Sequence, residues 1–174
     1  MLILMPVFGL NQGAQPIIGY NYGAGSPARV RSALRVSLGA TVVLCTIAYG
    51  LFFAFSRQII GLFVKDAPQI VELGVTSLRV FLSSIPVVGI AVIGSVYFQA
   101  INKGLPALLI NAVRQLVVLV PLYLVLPPLL GLAGVWLAGP IADGVSVVLT
   151  VCLLVPEMRR LARGDVVRTA AAAS

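Results

Sequence analysis

Long intervals without a single charged residue constrain this chain more than any other feature. The uncharged intervals cover residues 1–28, 36–56 and 80–102. A further stretch, 105–155, contains only Arg114 and Asp143 as charged residues. Because a helix needs about 20 apolar residues to cross a bilayer, the 174 residues of the chain have room for about five crossings.

The composition agrees with a chain that lies mostly in lipid. Apolar residues make up 60% of the sequence and charged residues 10%, and the mean hydropathy is +1.08. A soluble domain carries about 25% charged residues. Strands of a membrane barrel would show period-two alternation, which is absent here, and lipid leaves helices as the other way to pair every backbone group. The sequence therefore predicts an all-α membrane protein.

The predicted crossings, labelled A to E, form a single membrane domain over 1–174. The predicted helices cover about 1–22, 34–55, 69–101, 105–127 and 132–155, and a tail follows over 156–174. The apolar run 59–64 is too short to span, so we expect it at the membrane interface. Pro127 and Pro128, followed by Gly131, predict that D ends in a tight hairpin before E.

The excess of cations predicts the orientation of the helices. The formal charge of +7 would suggest nucleic acid in a soluble protein, but in a membrane protein cations first mark topology. Eight cations share one face: Arg29, Arg31, Arg35, Lys103, Arg159, Arg160, Arg163 and Arg168. The positive-inside rule then predicts a multi-pass protein of the cytoplasmic (inner) membrane with a cytoplasmic C-terminus, whose partner is the lipid bilayer and not nucleic acid.

Two charged residues are predicted to lie inside the bilayer. At 1.5 Å per residue, Arg114 lies about 13 Å and Asp143 about 18 Å from the cytoplasmic face. A charge at the bilayer centre costs on the order of 2.5–3.5 kcal/mol, so we expect an ion pair or a water-bridged contact between these neighbouring helices. The pair can be a structural clasp, or Asp143 can bind a cation in a cavity, or the two side chains can snorkel separately.

Uncharged polar side chains are the candidates for the wall of a substrate cavity, since their exposure to lipid would be costly. The candidates are Asn11, Gln12, Gln15, Ser84, Ser95, Gln99, Asn111 and Gln115. The chain has no histidine and no phosphate-binding loop, and it offers no acid–base pair of carboxylates. We therefore predict no catalytic residue, no metal site and no enzyme activity.

Three regions resemble a known family. They are GAQPIIGYNYGA at 13–24 followed by Arg29 and Arg31; FQAINKG at 98–104; and Arg114, Gln115, Pro121, GLAGVW at 131–136 and PIAD at 140–143. Their order and spacing are similar to those of the multidrug and toxic compound extrusion (MATE) transporters, from the end of the eighth helix to the twelfth. The chain thus resembles part of the C-terminal six-helix bundle of a MATE transporter.

The resemblance implies the C-terminal part of a multidrug efflux antiporter. Such a transporter exports cationic amphipathic compounds in exchange for Na+ or H+ by alternating access, and needs no other cofactor. We expect a missing N-terminal bundle or a second copy to complete it. Some branches of the family carry a coupling aspartate in the tenth helix, but crossing C has no acidic residue from Leu78 to Ile101. No cation-binding residue is therefore carried over.

Two other functions stay open. A lipid-linked oligosaccharide flippase of the same superfamily would need a large cationic groove, and the sequence offers only Arg114 as a buried cation. A non-transporting membrane anchor or assembly subunit would pack Gln12, Gln15, Ser84 and Gln99 away from any cavity.

Overall fold

The computed structural model describes residues 5–63 and 68–162, and within them every regular element is a helix. The helices are α1 (Met5–Gly23), α2 (Pro27–Phe63), α3 (Pro68–Leu82), α4 (Ile85–Ala100), α5 (Gly104–Ala112), a π-helical stretch (Val113–Leu119), α6 (Val120–Leu130) and α7 (Leu132–Ala162). The predicted all-α membrane fold is confirmed.

Four of the described helical segments are long and apolar enough to cross a bilayer. These segments are Pro27–Leu62, Pro68–Ala100, Gly104–Leu130 and Leu132–Ala162. Helix α1, which corresponds to crossing A, is not among them, because its 19 residues include the amides Asn11, Gln12 and Gln15. Residues 1–4 of the predicted first helix lie outside the described residues.

Helix α2 is longer than the predicted 34–55 at both ends. At its start Val30 and Leu34 are fully packed into the core, which holds the first turns in helical form. Near its end the Arg79 Nε atom donates a hydrogen bond to the buried Ser56 Oγ atom at 3.0 Å, which fixes α2 against α3. The run 59–64, expected at the membrane interface, continues α2 as far as Phe63, and Val64 lies outside the described residues.

Crossing C is interrupted where an unbroken helix over 69–101 was expected. A turn at Ser83 and Ser84 separates α3 from α4. Pro86, in the first turn of α4, has no backbone N–H to donate to the carbonyl of Leu82. The break leaves the Ser84 side chain at the junction of the two helices.

The tight hairpin between D and E forms at Gly131, within the predicted region, but crossing D ends at Leu130 and not at the predicted 127. Pro127 and Pro128 stay inside α6, which ends at Leu130. The chain turns at Gly131, whose φ of +60° suits a residue without a side chain, and the Gly131 N–H donates to the Pro127 carbonyl at 2.8 Å. A proline lacks the N–H donor and crowds the carbonyl four residues earlier, so these prolines weaken the last turns of α6, which nevertheless stay helical to Leu130.

Helix α7 extends beyond the predicted end at 155. It contains Pro156 and continues to Ala162, because Glu157 and Leu161 beyond that proline are buried against other helices. The rest of the predicted tail, 163–174, lies outside the described residues.

The tightly packed core lies at one end of the bundle, around α4. It joins the last turns of α1, α4 and α7 to the first turns of α2 and α5, and its largest fully buried side chains are Ile18, Leu34, Ile93, Tyr97, Ile110 and Leu161. In the middle of α4, a Cβ atom on Gly94 would overlap the Thr150 side chain of α7. This close approach packs α7 directly against α4.

Candidate functional site

A cavity of about 420 Å³ opens between α1, α4 and the α5 segment. Its lining residues are Phe8, Asn11, Gln12, Gln15, Val88, Val92, Ser95, Val96, Gln99, Asn111 and Arg114. In α1 the lining positions follow one helical face at spacings of three and four, and the same holds in α4 from Val88 through Ser95 to Gln99. The cavity wall therefore consists of one face of α1, one face of α4, and two residues of crossing D.

Most of the predicted polar candidates line this cavity. The structure brings together Asn11, Gln12, Gln15, Ser95, Gln99 and Asn111. Gln12, Gln15 and Gln99 are exposed, whereas Asn11 and Ser95 are buried. The wall thus offers both donors and acceptors of hydrogen bonds at membrane depth.

Two predicted residues lie elsewhere. Gln115 follows Arg114 directly, so it points to a different side of the helix, and it is exposed beside Leu116 outside the cavity lining. Ser84 is buried at the turn before α4 and contacts Asp143. Gln115 and Ser84 therefore do not line the large cavity as predicted. The reason for Gln115 is its position around the helix, and the reason for Ser84 is the break in crossing C.

Ser95 is the centre of a hydrogen-bonded cluster on the cavity wall. Its Oγ atom accepts hydrogen bonds from the Asn111 Nδ2 atom at 2.8 Å and the Gln99 Nε2 atom at 3.1 Å. The Asn111 Nδ2 atom also donates to the Ala107 carbonyl at 2.9 Å. On the α1 side, the buried Asn11 Oδ1 atom has no partner among the described residues. The hydrogen bonds to Ser95 fix the amide orientations of Gln99 and Asn111, whereas the Asn11 Oδ1 atom of α1 remains an acceptor without a partner among the described residues.

The two charged residues expected inside the bilayer are in contact. The Arg114 Nε atom donates to the Asp143 Oδ1 atom at 2.6 Å. The Ser84 Oγ atom donates to the other carboxylate oxygen, Oδ2, also at 2.6 Å. Asp143 on α7 therefore receives donors from the turn before α4 and from crossing D, and this arrangement links three parts of the bundle.

The π-helical stretch Val113–Leu119 begins one residue before Arg114. A π-helical turn is wider than an α-helical turn and is frequently found at functional sites. Arg114 lies three residues after Asn111, so both side chains face the cavity from the same side of crossing D.

A second, smaller cavity of about 30 Å³ lies behind the first, between α4, α5 and α7. Arg114 and Asn111 line both cavities, whereas Asp143 and Ser146 line only the smaller one. The Ser146 Oγ atom is fully buried and has no hydrogen-bond partner among the described residues. A space of this size suits about one water molecule.

Three features of the site were missed in the sequence. Phe8 and the three valines of the cavity give no polar signal, although their helical phase with Gln12 and Ser95 could have included them. Ser146, one turn after Asp143, could have been found by the same spacing. The ion pair between Lys103 and Glu157, at 2.6 Å, joins two segments that both end on the cation-rich face. Among the described residues, no three side chains of the usual metal-binding types come together.

Comparison with known proteins identifies the family. The sequence model of the MatE family matches residues 1–124. The multidrug export protein MepA of Staphylococcus saprophyticus is 31% identical over 148 residues, which are 85% of this chain and 31% of that protein. The FAD transporter of Shewanella oneidensis is 30% identical over 142 residues, which are 82% of this chain and 31% of that protein.

The fold matches solved transporters as well. The structure of the MATE multidrug transporter DinF-BH superposes with a TM-score of 0.84 at 32% identity, covering 90% of this chain and 35% of that one. The chain thus spans 31% to 35% of the length of these relatives. It is a multi-pass membrane protein, and it belongs to the MatE family.

Proposed function

We propose that this chain forms one wall of the export path of a multidrug antiporter. The complete transporter moves cationic amphipathic compounds out of the cell in exchange for Na+ or H+, and it catalyses no covalent reaction. Two bundles rock about a site near the membrane midplane and expose it to each side in turn. This chain supplies helices of the C-terminal bundle, and a preceding N-terminal bundle or a second copy supplies the opposite wall.

The observation that carries the proposal is the amide-lined cavity between α1, α4 and α5. Its volume of about 420 Å³ falls in the range of about 300–1,000 Å³ that is typical of small-molecule sites. Phe8 and the valines offer an apolar surface, and the glutamines offer hydrogen bonds. This mixture suits an amphipathic ligand.

The names of the relatives support the same class of function. MepA is named a multidrug export protein, and the Shewanella oneidensis relative is named an FAD transporter. Transport of small organic molecules is common to both names, so we carry over that class and leave the individual compound open.

The arrangement of the helix ends supports the proposed orientation in the inner membrane. The core joins the start of α2, the α4–α5 connection and the end of α7, and these regions carry Arg29, Lys103 and Arg159 among other cations. We propose that this end, and with it the C-terminus, lies on the cytoplasmic side.

The two alternatives have less support. Arg114 is the one charged side chain that lines the large cavity within the described residues, whereas a flippase for lipid-linked oligosaccharides would use a broad cationic groove. An anchor or assembly subunit would bury its polar side chains in packing. Ser84 is packed in this way, but the exposure of Gln12, Gln15 and Gln99 to a cavity argues against this alternative.

The proposal is tested by filling the cavity. Cells that express the complete gene product containing this chain should accumulate less of a fluorescent cationic dye than cells with an empty vector. We expect Gln12→Trp to raise dye accumulation to the empty-vector level, because an indole would occupy the cavity. The matched control is Leu116→Trp, on an exposed apolar surface of crossing D, which should leave efflux unchanged.

Equal expression of the variants in the membrane is measured in parallel. Full efflux by Gln12→Trp at equal expression would contradict the proposal, as would accumulation that does not differ between the unchanged protein and the empty vector across a panel of amphipathic dyes.

A further inference from the structure

The Arg114–Asp143 pair is oriented with its positive end toward the large cavity. The Arg114 side chain is 39% exposed and the Asp143 side chain 9% exposed. Arg114 lines the large cavity and Asp143 does not. A ligand in the large cavity therefore meets the guanidinium first, and since a Coulomb interaction weakens with distance, the charge that it senses on this wall is positive.

The Arg114 side chain also retains free hydrogen-bonding capacity. Its Nε atom is used on Asp143, and its two terminal amino groups have no hydrogen-bond partner within residues 5–63 and 68–162. A guanidinium presents its donors in a planar fork that matches a carboxylate or a phosphate in a bidentate contact. The unused donors of Arg114 thus have the geometry for an anionic group.

The surroundings of Arg114 favour the same kind of ligand. Within the described residues no carboxylate lines the large cavity, so this wall carries no negatively charged side chain that would favour a cation over an anion. The amides of Gln12 and Gln15 can donate further hydrogen bonds to anionic oxygens. Phe8 and Val92 offer apolar contact for an aromatic body.

We propose that this wall binds the anionic group, a carboxylate or a phosphate, of amphipathic aromatic ligands through the terminal amino groups of Arg114. Asp143 and Ser84 act as positioning residues that hold the guanidinium at the cavity edge. The inference rests on the proposed function, since it uses the same cavity. It extends the substrate class from simple cations to zwitterions and anions that carry an aromatic ring system.

The test compares pairs of dyes that differ mainly in the anionic group. Ethyl rhodamine esters are cationic, and the corresponding free acid carries the same ring system with a carboxylate. Riboflavin and riboflavin 5′-phosphate form the corresponding phosphate pair. Binding is measured by fluorescence anisotropy on the complete gene product in nanodiscs of neutral lipid. We expect the member that carries the carboxylate or phosphate to bind about tenfold more tightly in at least one pair, as for one added charge-assisted hydrogen bond.

Variants of Arg114 assign the preference to this residue. Arg114→Gln should abolish the preference for the dye that carries the anionic group. The double variant R114Q/D143N should abolish it as well. Because the double variant also removes the carboxylate left without a partner, it keeps the test valid if the single variant folds poorly. Asp143→Asn keeps an acceptor for Nε and removes the opposing charge, so it should increase the preference. Gln115→Leu, adjacent to Arg114 but outside the cavity lining, should leave the preference unchanged.

Each outcome has one meaning. A preference for the carboxylate dye alone, or for the phosphate dye alone, supports the inference and assigns the anion class. Equal binding within both pairs, or a preference that persists in R114Q/D143N, overturns the inference while the proposed function stands. Absence of binding for all four dyes overturns the proposed function, and the inference with it.

Discussion

Two ion pairs of nearly identical geometry lie at different depths of this protein. Lys103 and Glu157 approach to 2.6 Å with side-chain exposures of 38% and 8%, and Arg114 and Asp143 approach to 2.6 Å with exposures of 39% and 9%. Both pairs join crossing D, or the turn before it, to α7. They differ in surroundings, because the first lies at the end of the helices and the second inside the membrane-spanning region.

Because their surroundings differ, we expect the two pairs to contribute differently to the stability of the protein. At the helix ends water reaches Lys103, whereas Glu157 is buried in the packed bundle; water can approach Glu157 there once its partner is removed, so we expect this pair to contribute less to stability than the deeper one. Inside the bilayer a charge without its partner costs several kcal/mol, which makes the second pair obligatory once either residue is present. The deeper pair also lines cavities, because Arg114 lies in the wall of the large one and both of its residues lie in the wall of the smaller one.

The largest effect is expected from Arg114→Ala. This variant leaves the Asp143 carboxylate, whose side chain is 9% exposed, without its counter-charge at membrane depth, and we expect a loss of about 3 kcal/mol in the free energy of unfolding. The measurement is reversible unfolding of the purified protein in detergent micelles. A loss below about 1 kcal/mol, the size of an exposed pair, would remove the distinction between the two pairs.

The charge-swapped variant R114D/D143R separates pairing from other damage. It restores opposite charges on the same two helices, and we expect it to be more stable than either single swap. Two single variants that fold normally, or a double variant no better than the worse single one, would show that the two residues do not act as a pair.

A smaller effect is expected from Ser84→Ala. The variant removes the 2.6 Å hydrogen bond to Asp143 but keeps the ion pair, and a hydrogen bond to a charged group contributes about 1.5–3 kcal/mol. The matched control is Ser83→Ala, since the exposed Ser83 hydroxyl donates only to the Val80 carbonyl three residues earlier. An equal loss of stability in the two variants would show that the contact with Asp143 contributes nothing of its own.

The smallest effect is expected from Lys103→Ala, with a loss of about 1 kcal/mol, because water and counter-ions can approach Glu157 at the end of the helices once the lysine side chain is removed. Because salt screens charges that water can reach, raising the ionic strength to about 1 M should shrink this loss further, whereas the effect of Arg114→Ala, which leaves the deeper carboxylate unpaired, should change little. Unfolding of each variant at low and high salt checks the contrast. A salt dependence larger for Arg114→Ala than for Lys103→Ala would show that salt reaches the Arg114–Asp143 pair more readily than the Lys103–Glu157 pair, which would contradict the difference in depth between them.

Much of the deeper site was predictable from the sequence because lipid penalises charge so strongly. Counting residues from the helix ends gave Arg114 and Asp143 similar depths on neighbouring antiparallel helices, and the structure has them in contact. The glutamines of α1 and Gln99 of α4 followed from the same penalty on polar side chains, and they line the large cavity.

The remaining errors come from properties that hydropathy does not measure. The ends of α2 and α7 depend on tertiary packing, through Val30 and Leu161 among others, so uncharged intervals set them too short. The break before Pro86 depends on a single missing N–H donor. Gln115 was assigned to the cavity on polarity alone, although one residue of helix rotation carries it away from the face of Arg114.

The most direct test asks whether water reaches the large cavity at membrane depth. Cysteine is introduced singly at Gln12, Gln99 and Leu116 in a protein in which Cys45 and Cys152 are replaced by alanine, and labelling by a charged maleimide is followed in membrane vesicles. We expect rapid labelling at Gln12 and Gln99 and almost none at Leu116, which is exposed on an apolar surface. Labelling at Leu116 as fast as at Gln99, or none at all at Gln12 and Gln99, would contradict a water-filled cavity between these helices.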